Sequence, residues 1–334
     1  MSAPGATRRV YVAGHTGMVG SAIVRALRHD DDVELVVRSR SELDLARQEE
    51  VEAFFRDERI DEVHVAAARV GGISANDRLP ADFIRENLAI ACNLVGAAHD
   101  AGIDRLLFLG SSCVYPRLAP QPIPEEALLT GPLEPTNEPY AIAKIAGLKL
   151  CEAFRRQHGR RYRSLMPTNL YGPGDNFSLE DGHVLPALLR RFHEAAASGA
   201  EEVVVWGTGS PLREFMHVDD LAAACRTVMA LPDERWDTVM TGINHLNVGT
   251  GEDCSIRHLV DEIVALTGYA GRIRYDSAKP DGTPRKLLDV SRIRALGWAP
   301  GIPLREGLRT TYAWYRDREG DASRPLRGVL GDRG

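Results

Sequence analysis

From Arg8 to Gly20 the chain reads RRVYVAGHTGMVG. The run Arg8–Ala13 is short and apolar and ends on a glycine. A helical pattern follows, over about Met18–Arg28. Gly14, Gly17 and Gly20 therefore fall at a strand-to-helix turn with GxxGxxG spacing, together with His15, Thr16, Met18 and Val19. Glycines permit a tight turn and close backbone approach, and the N–H groups of a helix start are free to hold a pyrophosphate. The motif alone is weak. Its position between a strand and a helix makes it a candidate dinucleotide site.

Outward from this turn, strands and helices alternate. Strands are expected at Val33–Val37, Glu62–Ala67, Arg105–Leu109 and Tyr162–Pro167. Helices are expected at Gln48–Asp57, Pro80–Ala101 and Tyr140–His158. Alternation implies right-handed βαβ crossovers and a parallel sheet. The near-continuous apolar character of VELVV and RLLFL suits strands covered on both faces. After about residue 172 the pattern changes. YGPGDNFS (Tyr171–Ser178) and PDGTP (Pro280–Pro284) read as loops. Between and beyond them lie isolated helices near Val184–Ser198, Asp219–Leu231, Ile256–Thr267 and Leu304–Arg318. The expected fold is α/β, a Rossmann-type doubly wound parallel sheet with a smaller C-terminal α/β substrate domain. The nucleotide-binding part is assigned to 1–172 with a return segment near 216–250, and the substrate part to 173–215 and 251–334. Ligands of open parallel sheets bind outside the strand carboxyl ends, so the site is expected between the two parts.

Composition narrows the function. The 334 residues are 44% hydrophobic, enough for a sizeable core. Net charge is 41 − 47 = −6, so no broad cationic field exists to hold nucleic acid or an anionic membrane. Five scattered cysteines with no CxxC argue against a zinc site or a disulfide framework and fit a reducing, cytoplasmic setting. The start of the chain, Met1–Arg9, lacks an apolar signal core, and no run of about 18 apolar residues occurs. Lysine is rare, occurring only at 144, 149, 279 and 286.

The end of the second strand reads Arg38-Ser39-Arg40, with no acid. An acid there would hold a ribose 2′-hydroxyl, whereas arginine's fork suits a 2′-phosphate, so NADP is favoured over NAD. Tyr140 and Lys144 stand four apart on one helix and share a face. A neighbouring ammonium is expected to lower the tyrosine pKa and make it a usable proton donor or acceptor. YxxxK alone is common by chance. At the end of the fourth strand, however, stands Gly110-Ser111-Ser112-Cys113, whose Ser111 could hydrogen-bond a carbonyl oxygen.

Ser111, Tyr140 and Lys144 on a chain opening with GxxGxxG resemble the extended short-chain dehydrogenase/reductases. The segments Gly14–Gly20, Ala66–Gly72 (AAARVGG), Gly110–Pro116 (GSSCVYP), Leu133–Gly147, Leu165–Pro173 (LMPTNLYGP), Arg213–Asp220 (REFMHVDD) and Lys279–Asp289 (KPDGTPRKLLD) are similar to the GDP-L-fucose synthase family. The resemblance runs from about residue 8 to 315. It implies that C3 and C5 of GDP-4-keto-6-deoxy-mannose are epimerised and the C4 ketone then reduced by NADPH. Cys113 matches the family's base and His183 its acid, beside Ser111, Tyr140 and Lys144. The cofactor lining it implies adds Leu109, Gly110, Ser112, Pro167, Thr168, Asn169, Leu170 and His183. Asn169, Arg191, Trp206, Arg213, Asp281 and Lys286 match substrate positions. Some bacterial members carry arginine at the position of Thr16; threonine supplies no charge, so Arg38 and Arg40 must discriminate the 2′-phosphate. A homodimer paired through the helices near 80–101 and 140–158 is what the superfamily implies. Related readings stay open: a GDP-rhamnose-type reductase, a GDP-colitose-type epimerase/reductase, or a non-catalytic NADP-binding regulator.

Overall fold

Arg8–Ala13 forms β1, one strand in from the edge of a six-stranded sheet. In this computed structural model residues 7–240, 242–279 and 281–319 are described. The part of the 251–334 segment beyond residue 319, Pro280 of the PDGTP loop and residues 1–6 of the polar start lie outside them.

After β1 come α1 (Met18–Leu27), β2 (Val33–Val36), α2 (Gln48–Asp57), β3 (Glu62–Val65), α3 (Ile73–Arg78), α4 (Pro80–Asp100), β4 (Arg105–Leu109), α5 (Glu138–His158) and β5 (Arg161–Pro167). Then follow β6 (Asn169–Tyr171), α6 (Val184–Ser198), β7 (Glu202–Trp206), β8 (Leu212–Arg213), β9 (Phe215–His217), α7 (Val218–Ala230), α8 (Asp233–Asp237) and β10 (Leu246–Val248). The rest is β11 (Cys254–Ser255), α9 (Ile256–Thr267), β12 (Arg272–Asp276), β13 (Arg285–Lys286), α10 (Ser291–Ala295) and α11 (Leu304–Glu319).

The sheet is parallel throughout, in the order β10-β5-β4-β3-β1-β2. The order reverses between β1 and β3, the crevice where open doubly wound sheets take their ligand. The alternating pattern located this fold. Short elements escaped it, and one boundary shifted. β10 is only three residues long, α3 has six residues and no apolar period, and α5 starts two residues before Tyr140. Pro139 is tolerated in the first turn of α5 because the N–H it lacks has no intrahelical partner there.

Two hydrophobic cores form. The first joins the sheet to α1, α4, α5 and α7 around Val12, Leu94, Leu106 and Leu165. The second gathers α6, α9, α11 and β7 around Leu189, Phe192, Leu259 and Tyr315. Leu288, Val290, Ile293 and Trp298 pack into the first core although they lie beyond residue 251. At the N-terminal ends of β1, β3 and β4, Glu62 is fully buried. Its carboxylate accepts from Arg8 (3.0 Å) and Arg105 (2.8 Å) and pairs with His64 Nε2 (2.8 Å). Burial alone would raise its pKa, but these neighbours hold it down to about 2. Among the described residues no helix is long and apolar enough to cross a membrane, no cluster of candidate metal ligands occurs, and all five cysteines are free.

Candidate active site

The turn after β1 is shaped by glycine. Gly14 has φ +82°, and a Cβ there would stand 2.8 Å from Ala67 Cα at the end of β3. A Cβ on Gly20 would lie 2.1 Å from the Gly14 carbonyl oxygen, so α1 approaches the turn as only glycine allows. The Gly17 N–H donates to that same oxygen at 2.9 Å. No side chain caps the start of α1 and no acid occupies its first turn, so its N–H groups and positive dipole end suit an anion. At the exit of β2, Arg38 stacks over Phe54 and donates to Glu58 (2.6 Å) and the Val37 carbonyl (2.9 Å). Arg40 is mostly exposed and pairs with Glu86 at 3.2 Å. Ser39 engages the Glu42 carboxylate through its N–H and its hydroxyl. A backbone cradle for a diphosphate with arginines beside it, and no acid within Arg38–Arg40, fits NADP.

The Leu109 end of β4 leads into a short 3₁₀ turn, Ser112–Val114. Ser111 begins it, and its Oγ accepts from the Cys113 N–H at 3.4 Å. α5 runs alongside and presents Tyr140 and Lys144. Lys144 Nζ donates to the Leu109 carbonyl at 2.8 Å and lies 5.0 Å from the Phe108 ring centroid and 5.9 Å from that of Tyr140. Burial lowers the Lys144 pKa to about 8. Tyr140 packs edge-on against Phe83, and burial pushes its pKa up, with Cys113 adding in the same direction. The expected lowering by Lys144 is therefore not what this arrangement produces. The ammonium is spent on a carbonyl, burial prevails, and the phenol is held protonated.

Cys113 is also pushed up by burial, opposed by the charge of Lys286, the Ser111 hydroxyl and Lys144. His183 precedes α6. The residue is exposed overall, yet desolvation of its ring, followed by the charge of Lys286, lowers its pKa. Burial lowers Lys286 too, with Cys113 and Glu134 pulling it back up and Arg213 reinforcing the fall. These mutual effects link Cys113, Tyr140, Lys144, His183, Lys286 and Arg213, although they come from five separate stretches of chain.

The remaining candidates lie on other segments. Thr168 follows β5, its N–H donating to Val248 (3.0 Å), and Asn169 Nδ2 donates to the Glu214 carbonyl at 2.8 Å. Pro167 ends β5 and Leu170, in β6, still packs against the first core, while the next residue, Tyr171, belongs to the second. Arg191 and Trp206 line a hollow of ≈ 400 Å³ with Glu194, Glu202 and Val204. Arg191 donates to the Val204 carbonyl (2.9 Å), and Trp206 is 64% exposed with Lys279 Nζ 5.3 Å from its ring centroid. Asp281 accepts from the Thr208 N–H (2.7 Å) and hydroxyl (2.8 Å). Its carboxylate thus pins the loop after Trp206.

Two features carried no signal in the sequence. The Gly72 N–H donates to the Asp181 carbonyl at 2.9 Å and Arg78 pairs with the Asp181 side chain at 3.2 Å, so the AAARVGG segment and α3 hold the loop that bears His183. Glu214, beside Arg213, is completely buried. Nothing in the local pattern marks either role.

A doubly wound sheet, a phosphate cradle at its switch point and a Tyr–Lys pair facing a serine and a cysteine define an NADP-dependent enzyme acting on a carbonyl. The family model described as the NAD dependent epimerase/dehydratase family matches residues 10–249. The GDP-L-fucose synthase of Escherichia coli (strain K12) is 58% identical over 313 residues, covering 93% of this chain and 98% of that one. Among solved structures, a GDP-D-glycero-L-gluco-heptose synthase of Campylobacter jejuni in the presence of NADPH superposes with a TM-score of 0.86. It is 34% identical, and the match covers 93% of this chain and 98% of that one. A GDP-L-fucose synthetase of Naegleria fowleri bound to NADP gives 0.84 at 25% identity, covering 95% and 96%. The chain belongs to the NAD dependent epimerase/dehydratase family and, within it, to the GDP-L-fucose synthases.

Proposed function

We propose that this protein converts GDP-4-keto-6-deoxy-D-mannose to GDP-L-fucose, inverting C3 and C5 and then reducing C4. The observation that supports the reading is that Cys113 stands beside Ser111 and shares Lys286 as a charged neighbour with His183, next to the Tyr140–Lys144 pair. A reductase needs only Ser111, Tyr140 and Lys144. A thiol and an imidazole add a base and an acid for proton exchange alpha to the carbonyl.

Cys113, as thiolate, takes the proton from C3 and later from C5. The negative charge that develops on the C4 oxygen is met by the Tyr140 and Ser111 hydroxyls, donors already in place before it forms. His183 returns a proton on the opposite face. Because the charge of Lys286 helps to depress the His183 pKa, a bound diphosphate that neutralises Lys286 raises the imidazolium population when the substrate arrives. NADPH, when bound, supplies the hydride for C4; Gly14–Gly20 would hold its diphosphate, and Arg38 and Arg40 its 2′-phosphate. Tyr140, kept neutral by burial, then donates its proton to the C4 oxygen. Lys144 fixes the end of β4 through Leu109 and offers a positive charge beside the resulting phenolate.

On the substrate side, Asn169 faces the sugar, Lys286 and Arg213 the diphosphate, and Arg191 and Trp206 the nucleoside. The first core serves the cofactor and the second the substrate, in a cytoplasmic homodimer. Incubation with GDP-4-keto-6-deoxy-mannose and NADPH, with the sugar identified by NMR, tests the reading. GDP-L-fucose is expected. GDP-rhamnose would show reduction without epimerisation and overturn the roles of Cys113 and His183.

A further inference from the structure

Glu214 stands between β8 and β9, fully buried, with hydrogen bonds into three other segments. Its Oε1 accepts from the Gly251 N–H at 2.7 Å and the Thr250 hydroxyl at 3.4 Å. Its Oε2 accepts from the Leu288 N–H at 3.1 Å. Its carbonyl oxygen accepts from Asn169 Nδ2 at 2.8 Å and the Thr168 hydroxyl at 3.3 Å. Two of these three segments carry site candidates. Arg213 is the preceding residue and lies in register with Lys286 in the β8–β13 pair. Leu288 is two residues past Lys286. Asn169 pairs with Phe215 in β6–β9. The bond from Nδ2 also fixes which way the Asn169 amide faces, leaving Oδ1 as its acceptor toward a ligand. The fit is close enough that a Cβ on Gly249 would stand 2.2 Å from Oε1.

We infer that Glu214 is a positioning residue that holds Asn169, Arg213 and Lys286 in one constellation for the GDP-sugar, acting only through those neighbours. A carboxylate suits this place because its oxygens accept from N–H and O–H donors of separate segments, and these hydrogen bonds oppose the rise in pKa that burial imposes. An amide of the same shape must turn an NH₂ toward Gly251 or Leu288 and so opposes one of these donors. The inference rests on the proposed assignment of Asn169, Arg213 and Lys286 to substrate.

The test uses the full chain with Glu214→Gln. GDP and NADPH affinities are measured by titration, and KM and kcat per NADPH-binding site with GDP-4-keto-6-deoxy-mannose. GDP affinity is expected to fall, KM to rise and kcat to fall, each by about tenfold, with the NADPH Kd within about twofold. Should Glu214→Gln fail to fold, Gly249→Ala, which displaces the same carboxylate, is expected to give the same split. GDP affinity, KM and kcat per NADPH-binding site that stay within about twofold of wild type would overturn the inference, whatever the change in melting temperature. A wild-type protein that binds GDP but does not turn over the keto-sugar would defeat the proposed reaction alone. The loss of GDP affinity in the variant would then still decide the role of Glu214.

Discussion

Tyr140 and Lys144 are one helical turn apart, yet their chemistry is set by what surrounds them. Lys144 donates to the Leu109 carbonyl, and burial dominates both groups, lowering the lysine to about 8 and raising the tyrosine. A neutral phenol is the form that can give a proton to a developing alkoxide. Tyr140→Phe is therefore expected to cut the reduction rate by roughly 10²–10⁴-fold with NADPH binding retained, measured by single-turnover absorbance at 340 nm. Cys113→Ser keeps a small polar group but loses the acidity of the thiol. Deuterium wash-in at C3 and C5 is expected to fall far more than reduction, and an unchanged wash-in would remove Cys113 from the base role. For the cofactor, Arg38 is committed to Glu58 and Val37, whereas Arg40 is mostly exposed and pairs with Glu86. Arg40→Ala is expected to raise the KM for NADPH by more than about tenfold and to leave that for NADH nearly unchanged. Equal effects on the two cofactors would show that Arg40 does not read the 2′-phosphate.

Among the elements, the loop from Asp175 to α6 has no strand or helix to stiffen it and is held from outside, by Gly72 and Arg78. A Cβ at Gly72 would stand 2.9 Å from the Gly182 carbonyl oxygen and 3.1 Å from that of Asp181. Gly72→Val is thus expected to displace His183 and slow isotope exchange more than reduction. The ends of β1, β3 and β4 are tied by Glu62. An ordinary glutamate titrates near 4.5, and this one near 2. Between these values the unfolded chain binds the extra proton, so the stability this carboxylate contributes is full above pH 4.5 and is lost as the pH falls toward 2. The contribution is about 3 kcal/mol. Glu62→Gln, which leaves Arg8 and Arg105 facing a neutral group, is expected to cost about 3 kcal/mol at pH 7 and far less near pH 2, measured by urea denaturation.

For the whole molecule, α4 and α5 pack side by side along the first core. If they also form the proposed dimer interface, sedimentation should give twice the chain mass of 36.6 kDa. The net charge of −6 leaves binding of phosphorylated ligands to a few local cations, and the rare lysines fall where that matters. Lys144 meets Tyr140, Lys286 acts on Cys113 and His183, and Lys279 lies over the exposed Trp206. Lys149 pairs with Glu152 on the helix surface. The amino-acid sequence by itself determined the alternating parallel fold, the glycine turn, the Tyr–Lys pair and the family. These are local: a period, a spacing or a contiguous motif reports them, because short-range sterics and hydrophobic patterning dictate them. Only the tertiary structure decided that burial outweighs Lys144 at Tyr140, that Asp281 is spent on Thr208, that Gly72 holds the His183 loop, and that Glu214 gathers Thr168, Asn169, Gly251 and Leu288. Desolvation and long-range hydrogen bonding depend on which distant segments meet, and no window of sequence contains both partners.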